Sequence, residues 1–364
     1  MEKNYIALGL MSGTSGDGVD SSIIQSNGKD DFLIKWNNYD PYPQDLTDKI
    51  HKIREKIQSS SDLIKFSEDI QILETRITDF HSIIVKKCIS YNDVDIIGLH
   101  GQTIFHNSLE KVSKQLGLGK KLSNDTKKIV VYDFRQKDLK NGGEGAPLAP
   151  IYHKLLVKKF IGEKKIHLPI TILNIGGISN TTNINEKNEM TGVDIGPGNC
   201  LIDKWIRLNT DKNYDKNGDI ARSGKVDKLI LERALDNFYC NNVSKKKSLD
   251  TNDFDISFVR GLSLENGAAT LTELTAEILS KKLLNNDIYV SGGGRKNKFL
   301  IYSIKKKIKS EIKEIDDLGL DGSFIESQAF GYLAIRSYLG LPISFPETTG
   351  CKEPTTGGTI VKSC

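Results

Sequence analysis

The stretch GLMSGTSGDGVD, Gly9 to Asp20, constrains this chain more than any other. A short apolar run, Tyr5 to Leu8, enters it, and a second, Ser21 to Ile24, leaves it. Apolar runs of that length beside glycine read as strands. Asp17 followed by Gly18 predicts a tight hairpin turn, because such turns need positive φ. The stretch therefore reads as strand, polar tip, strand. The tip carries Ser12, Thr14 and Ser15 with Gly13, Gly16 and Gly18. Backbone N–H groups and small hydroxyls at a turn suit a polyanion, usually phosphate. The alternative is a tip that only turns the chain, and this segment alone does not choose between them.

The chain has 364 residues, enough for about two domains. Its 38% hydrophobic content is ordinary for a globular protein with a real core. Lys and Arg number 51 against 47 Asp and Glu, and they are spread along the chain. That pattern argues against a nucleic-acid binder. The runs Lys245–Lys247 and Lys305–Lys309 read as solvated faces. Five cysteines (Cys88, Cys200, Cys240, Cys351, Cys364) form no C-x-x-C pair, which fits a reduced, cytoplasmic compartment. The N-terminus has no secretion-type pattern, and no apolar run is long enough to span a membrane.

A polar region with Pro41 and Pro43 follows the hairpin. Leu63, Phe66, Ile70, Leu73, Ile77, Phe80 and Ile84 then step by three or four residues. They form one apolar helix face over Leu63–Val85, with Ser60, Ser61 and Asp62 as candidate caps. Two strand-like runs, Asp95–Leu99 and Ile129–Tyr132, end in His100–Thr103 and Asp133–Arg135. Polar side chains just past strand carboxyl ends are where open α/β sheets bind ligands. His100 alone also fits a structural histidine, and Asp133 with Arg135 a surface ion pair. Asn141 to Pro150 is a Gly- and Pro-rich loop, either a hinge or a loop closing on ligand. Pro169–Ile175 is a strand, followed by Gly176, Gly177, Ser179 and Asn180, with a return strand at Asn183–Ile184. This echoes the opening hairpin. Asp194 ends a short apolar stretch before Gly196, Pro197 and Gly198. A carboxylate on a rigid turn suits general-base work, and an Asx turn is the alternative. Asp211–Thr251 is polar, with helix at Lys228–Phe238; Gly267–Leu284 is a helix. Strand Asp287–Ser291 ends in Gly292, Gly293 and Gly294, which lets another group approach the backbone. Helices at Lys298–Ile308 and Glu326–Leu339 and a last strand at Ile360–Val361 follow. P-loop, Rossmann, zinc-protease and serine-hydrolase motifs are absent from the sequence.

Taken together, several blocks resemble the anhydro-N-acetylmuramic acid kinases of bacteria. They are MSGTSGDGVD at Met11–Asp20, HGQT at His100–Thr103, DFR at Asp133–Arg135 with Asp138, and GGEGAPL at Gly142–Leu148. LNIGGISN at Leu173–Asn180, DIGPGN at Asp194–Asn199, and Gly292–Gly294 with Asn297 complete the set. They span nearly the whole chain. Gly16 stands where that family usually has Leu, and Ile195 where Thr is usual. The first departure is expected to loosen the loop, the second to remove a hydrogen bond beside Asp194.

The resemblance implies an α/β, two-domain actin-like ATPase (ribonuclease H-like) fold with ATP in the interdomain cleft. The expected domains are 1–137 plus about 345–364, and 138–344. It implies a kinase that opens 1,6-anhydro-N-acetylmuramic acid with water and phosphorylates O6, within peptidoglycan recycling. Asp194 matches the catalytic base. Gly13, Thr14, Ser15, Gly16, Asp17, Gly18, Val19, Asp20, Asn174, Gly176, Gly177, Asn180, Gly292, Gly293, Gly294 and Asn297 would bind ATP. His100, Gln102, Asp133, Arg135 and Glu326 would line the sugar site, with Arg135 on the lactyl carboxylate. Asp17 would hold Mg²⁺ through water. The partners are then the amino sugar and ATP, with no nucleic acid and no membrane, and a homodimer is the family expectation. Rival readings are a kinase of another sugar or acid on the same fold, and a non-enzymatic nucleotide-gated clamp.

Overall fold

The computed structural model describes residues 3–240 and 248–363. Lys245–Lys247 and Cys364 therefore lie outside the described residues. The chain forms two compact units, one of residues up to Ile166 together with those from Phe324 onward, the other His167–Ser323.

The first unit begins with a meander: β1 (Tyr5–Ser12), β2 (Gly18–Ser26) and β3 (Phe32–Pro41). Helices α1 (Gln44–Lys56), α2 (Ser60–Lys65) and α3 (Ser67–Ile89) follow, then β4 (Ile96–Asn107), β5 (Val112–Leu116), α4 (Gly119–Thr126) and β6 (Ile129–Tyr132). Short α5 (Gln136–Lys140) and α6 (Pro150–Gly162) end this part of the chain. With β12 (Thr359–Val361) at one edge, the sheet order is β12-β6-β4-β1-β2-β3, and β5 lies beside β4. The meander is antiparallel, whereas β1, β4 and β6 run parallel.

The second unit repeats this plan. Strands β7 (Ile170–Ile175), β8 (Ile178–Ile184) and β9 (Met190–Pro197) form an antiparallel meander. Helices α7 (Cys200–Asn209), α8 (Asp219–Ser223), α9 (Lys228–Cys240) and α10 (Leu264–Lys282) precede β10 (Asp287–Ser291), α11 (Lys298–Lys305) and β11 (Ile312–Glu314). Strand β10 pairs parallel with β7 and β11. The chain then returns to the first unit with α12 (Ile325–Tyr338), α13 (Pro346–Thr349) and β12 (Thr359–Val361). The echo between the Gly13 and Gly176 regions is thus structural: each is the first turn of a meander that heads an α/β unit.

Alternation explains how β1 is covered on both faces. Leu8 and Leu10 point into a core with Ile50 of α1, Ile77 of α3 and Ile97 of β4. On the other face, α12 approaches so closely that a Cβ on Gly9 would lie 1.9 Å from the Ser327 carbonyl oxygen. At Gly98 of β4 it would lie 2.3 Å from the Phe330 carbonyl oxygen. Only glycine permits that approach.

Several expectations need correction. The units break at Ile166/His167 and Ser323/Phe324, not at 137/138 and near 344/345. The reason is packing: α6 and α12 belong to the first unit, where Tyr152 OH donates to Gln328 Oε1 at 2.9 Å. The polar region around Pro41 and Pro43 holds the end of β3 and the start of α1. Its strand was hidden because β3 is an edge strand with mostly half-buried or exposed residues. The helix expected over Leu63–Val85 divides at Phe66, and the cap is Ser59, whose backbone N–H donates to Asp62 Oδ2 at 3.0 Å. In Lys305–Lys309 most side chains are exposed, while Lys307 bridges Glu273 and Glu277 of α10 at 2.6 Å each.

Candidate active site

In the first unit the β1–β2 tip is braced from several sides. Gly16 takes φ +65°, and its N–H donates to the Gly13 carbonyl at 3.2 Å. Gln102 Nε2 donates to the same carbonyl at 2.9 Å. Arg54 Nη1 donates to the Thr14 carbonyl. The Asp17 carbonyl accepts from the Tyr42 N–H at 2.9 Å and from Tyr39 OH at 3.0 Å. Beneath the tip, buried Ser12 Oγ lies 2.8 Å from Tyr42 OH and 3.5 Å from His81 Nε2. Asp17 is exposed and accepts from Ser15 Oγ at 2.5 Å. Val19 and Asp20 lie within β2, paired with Asp40 and Tyr39 of β3.

His100 and Gln102 do not stand past a strand end. Strand β4 runs on through them, leaving β6 after Leu99 and pairing with β5 from Gln102. His100 is buried against the ring of Phe330, 4.4 Å between centroids. Its Nε2 lies 2.9 Å from Arg135 Nη2 and its Nδ1 2.8 Å from the Gly101 carbonyl. A guanidinium only donates, so Nε2 accepts and Nδ1 carries the hydrogen. Burial, then the Arg135 charge, holds this imidazole neutral, well below its usual pKa. Arg135 Nη1 also donates to the Gly145 carbonyl at 2.8 Å. The surface ion pair is therefore not what Arg135 forms: it braces His100 and the glycine loop. Asp133 takes φ +56° at the end of β6, and burial raises its carboxyl pKa against the pull of Lys114 and Lys140. Glu326 sits half-buried in the first turn of α12, an end that favours a carboxylate. The Gly142–Leu148 loop is tied inside the first unit by Asp138, whose Oδ2 accepts from the Gly145 N–H at 2.7 Å and Oδ1 from Thr349 Oγ1 at 2.6 Å. It is not the hinge between units, which break after Ile166.

In the second unit the β7–β8 turn and the late glycines meet. The Gly176 and Gly177 carbonyls accept from the N–H groups of Asn199, Gly198 and Cys200, the first of these at 2.8 Å. The turn thereby serves the otherwise unpaired N–H groups at the start of α7. A Cβ on Gly292, at φ +81°, would lie 2.5 Å from Asn174 Oδ1. On Gly294 it would lie 2.1 Å from Ile175 Cγ2, whereas Gly293 has open space. Asn174, Gly176, Gly177 and Gly292–Gly294 are thus one cluster at the carboxyl ends of β7 and β10. Asn297 caps α11, its Oδ1 accepting from the Leu300 N–H at 3.0 Å.

Asp194 is not at a strand end. It lies inside β9, opposite Asn180 of β8, and the strand continues through Gly196 to Pro197. The Asx-turn alternative is not what the structure has: Asp194 Oδ2 accepts from the distant Leu249 N–H at 2.8 Å. Asp194 is 5% exposed. Burial pushes the nearby Lys282 ammonium down in pKa, and the charge of Asp194 pulls it back up. A buried carboxylate with a cation beside it and one oxygen fixed by a backbone donor is a positioned proton acceptor.

The family model for anhydro-N-acetylmuramic acid kinase matches residues 4–363. This chain belongs to the anhydro-N-acetylmuramic acid kinase family. A family member from Pelagibacter ubique (strain HTCC1062) is 49% identical, with all of both chains covered. Another from Zymomonas mobilis subsp. mobilis is 38% identical over 98% of this chain and 99% of its own. Among solved structures, the activator of the 2-hydroxyisocaproyl-CoA dehydratase from Clostridium difficile covers 93% of this chain and 96% of its own at 11% identity, with a TM-score of 0.41, a likeness too distant to carry an inference. No helix among the described residues is long and apolar enough to cross a membrane.

As a member of this kinase family, the chain shows its two departures in physical terms. Gly16 occupies a left-handed backbone conformation that favours glycine. Ile195 is 1% exposed in a core with Leu173 and Leu279. The β8–β9 ladder shifts register here, Ser179 pairing with Gly196 and Asn180 with Asp194, so Ile195 is the extra residue of a bulge beside Asp194. Arg54, Tyr42, His81 and Leu249 had no signal in the sequence, because each reaches the site through a contact between distant segments.

Proposed function

We propose that this kinase transfers the γ-phosphoryl group of ATP to O6 of 1,6-anhydro-N-acetylmuramic acid while water opens the anhydro bridge. The full-length family match carries the reading, joined by the buried, oriented carboxylate of Asp194. Asp194 takes a proton from the attacking water. The water oxygen bonds to C1 as the C1–O6 bond breaks, and O6 bonds to the γ-phosphorus as the bond to the ADP oxygen breaks. The products are N-acetylmuramic acid 6-phosphate and ADP, consistent with peptidoglycan recycling. A positioned base of this kind contributes roughly 10²–10⁴-fold.

Phosphoryl transfer depends on positioning and charge stabilisation. The tip Gly13–Gly18, with Val19 and Asp20 behind it, and the turn Gly176–Gly177 with Asn174 and Asn180 supply backbone and amide groups to the phosphates. Gly292–Gly294 and Asn297 face the nucleoside, where open space at Gly293 suits close approach. Mg²⁺, when bound, would spread the phosphate charge. Asp17 would hold it through water, and one carboxylate plus phosphate oxygens is a normal set for this ion. Arg135 suits the lactyl carboxylate, and His100, Asp133 and Glu326 line the sugar. Gln102 Oε1 is buried and unpaired, an acceptor suited to a sugar hydroxyl. We assign the chain to the cytoplasm and, from the family, to a homodimer.

The test is ADP release with Mg-ATP. Release is expected with the anhydro sugar and not with N-acetylmuramic acid or glucose; release that ignores the anhydro sugar sinks the substrate assignment. In heavy-oxygen water the label is expected at C1.

A further inference from the structure

The donors that grip the first hairpin tip are arranged in a way that its phosphate role alone does not require. The Gly13 carbonyl is held by Gln102 Nε2 and the adjacent Thr14 carbonyl by Arg54 Nη1. These donors stand on different elements, β4 and α1. Both mounts are rigid. Gln102 is fully buried, and Arg54 is flanked by Ile50 and Ile53 of α1 and by Ile57 just after it, all in the core. A trans peptide is planar, so its C=O and the N–H of the next residue point in opposite directions. Pulling the Gly13 and Thr14 carbonyls toward the body of the unit therefore turns the N–H groups of Thr14 and Ser15 away from it. Thr14 is half-buried and Ser15 exposed, so the outward side is open. Two successive N–H groups aimed the same way form an anion-binding concavity.

We propose that Arg54 and Gln102 are positioning residues that turn the Gly13 and Thr14 carbonyls inward, so that the Thr14 and Ser15 amides face the phosphates of the nucleotide. The proposal rests on reading the tip as a phosphate loop. It also gives Gln102 two ends with different duties, its amide nitrogen on the tip and its Oε1 toward the sugar. The base of the tip does not depend on either residue. Tyr42 holds it through its N–H to the Asp17 carbonyl, and Tyr42 OH lies 2.8 Å from Ser12 Oγ. Loss of Arg54 should consequently leave the unit folded while the amides lose their aim.

The experiment compares full-length Arg54→Met, Arg54→Lys and Gln102→Met with the parent for binding of ATP and of adenosine by calorimetry, and for KM. A hydrogen bond from a charged donor is worth enough to weaken ATP about tenfold in Arg54→Met. Adenosine, which lacks phosphates, should bind within about twofold of the parent, a ratio that a merely structural role would not move. In Arg54→Met, KM for ATP should rise while KM for the sugar stays level, and Arg54→Lys should recover part of the loss. Gln102→Met should lower the ATP-to-adenosine ratio in the same direction. Equal losses for ATP and adenosine, or no loss for ATP, would overturn the proposal. A parent protein that binds ATP no better than adenosine would instead overturn the phosphate reading of the tip. If Arg54→Met fails to fold, Arg54→Lys carries the comparison, because it keeps the charge but loses the fork that reaches the carbonyl.

Discussion

At the scale of single residues, each unit holds its own candidate side chains through hydrogen bonds to backbone and side-chain partners. Asp194 Oδ2 is fixed by the Leu249 N–H, and His100 by the Gly101 carbonyl on one side and Arg135 on the other. Asp194→Asn keeps the shape and removes the proton acceptor. It should bind ATP as the parent does and lose roughly 10²–10⁴-fold in kcat; near-normal turnover in a steady-state assay would remove Asp194 from the base role. Asp194, His100 and Arg135 stand out in the sequence as candidates because they sit in polar blocks beside apolar runs. Their surroundings do not. Asp194 looked like the end of a strand because Gly196, Pro197 and Gly198 read as a turn, whereas Gly196 and Pro197 extend β9. Gly198 packs against the β7–β8 turn, where its Cβ would lie 2.1 Å from the Gly176 carbonyl oxygen.

At the scale of elements, glycines decide how closely helix and sheet approach. Helix α12 lies on β1 and β4 through Gly9 and Gly98, and this approach brings Phe330 onto His100. A methyl at Gly98 would meet the helix backbone itself, which cannot swing aside as a side chain can. Gly98→Ala should therefore destabilise the protein by about 1–3 kcal/mol or more, read as a lower urea midpoint, and should raise KM for the sugar by displacing Phe330. A midpoint equal to that of the parent would show that α12 can shift without penalty. The buried strands β1, β6, β7 and β10 were legible from their short apolar runs beside glycine or polar ends. Edge strand β3 was not, since its half-exposed residues carry little apolar signal.

At the scale of the whole molecule, two units share one plan of antiparallel meander followed by parallel strands. The first carries an acid sensitivity in its core. Burial depresses His81 and His153 from 6.5 to about 4, and His100 well below its usual value. A histidine depressed in the folded state binds its proton first in the unfolded chain. Its stabilisation is complete above pH 6.5 and is lost as pH falls toward the folded value. Urea unfolding should accordingly show stability falling between pH 7 and pH 5, by about 2 kcal/mol per histidine at the lower end. A flat profile would mean that these rings are protonated without disturbing the fold. The sequence by itself determined the order of the blocks, the hairpin with its glycine and hydroxyl tip, the echo at Gly176 and the family, because local turn chemistry and residue spacing are properties of short segments. Only the tertiary structure decided where the units divide, that α6 and α12 join the first of them, and which donors aim the first hairpin. Those outcomes depend on residues far apart in the chain meeting in space. The hairpin tip is written in twelve residues, but the direction of its amides is set by Arg54 and Gln102, which the spacing of those twelve does not encode.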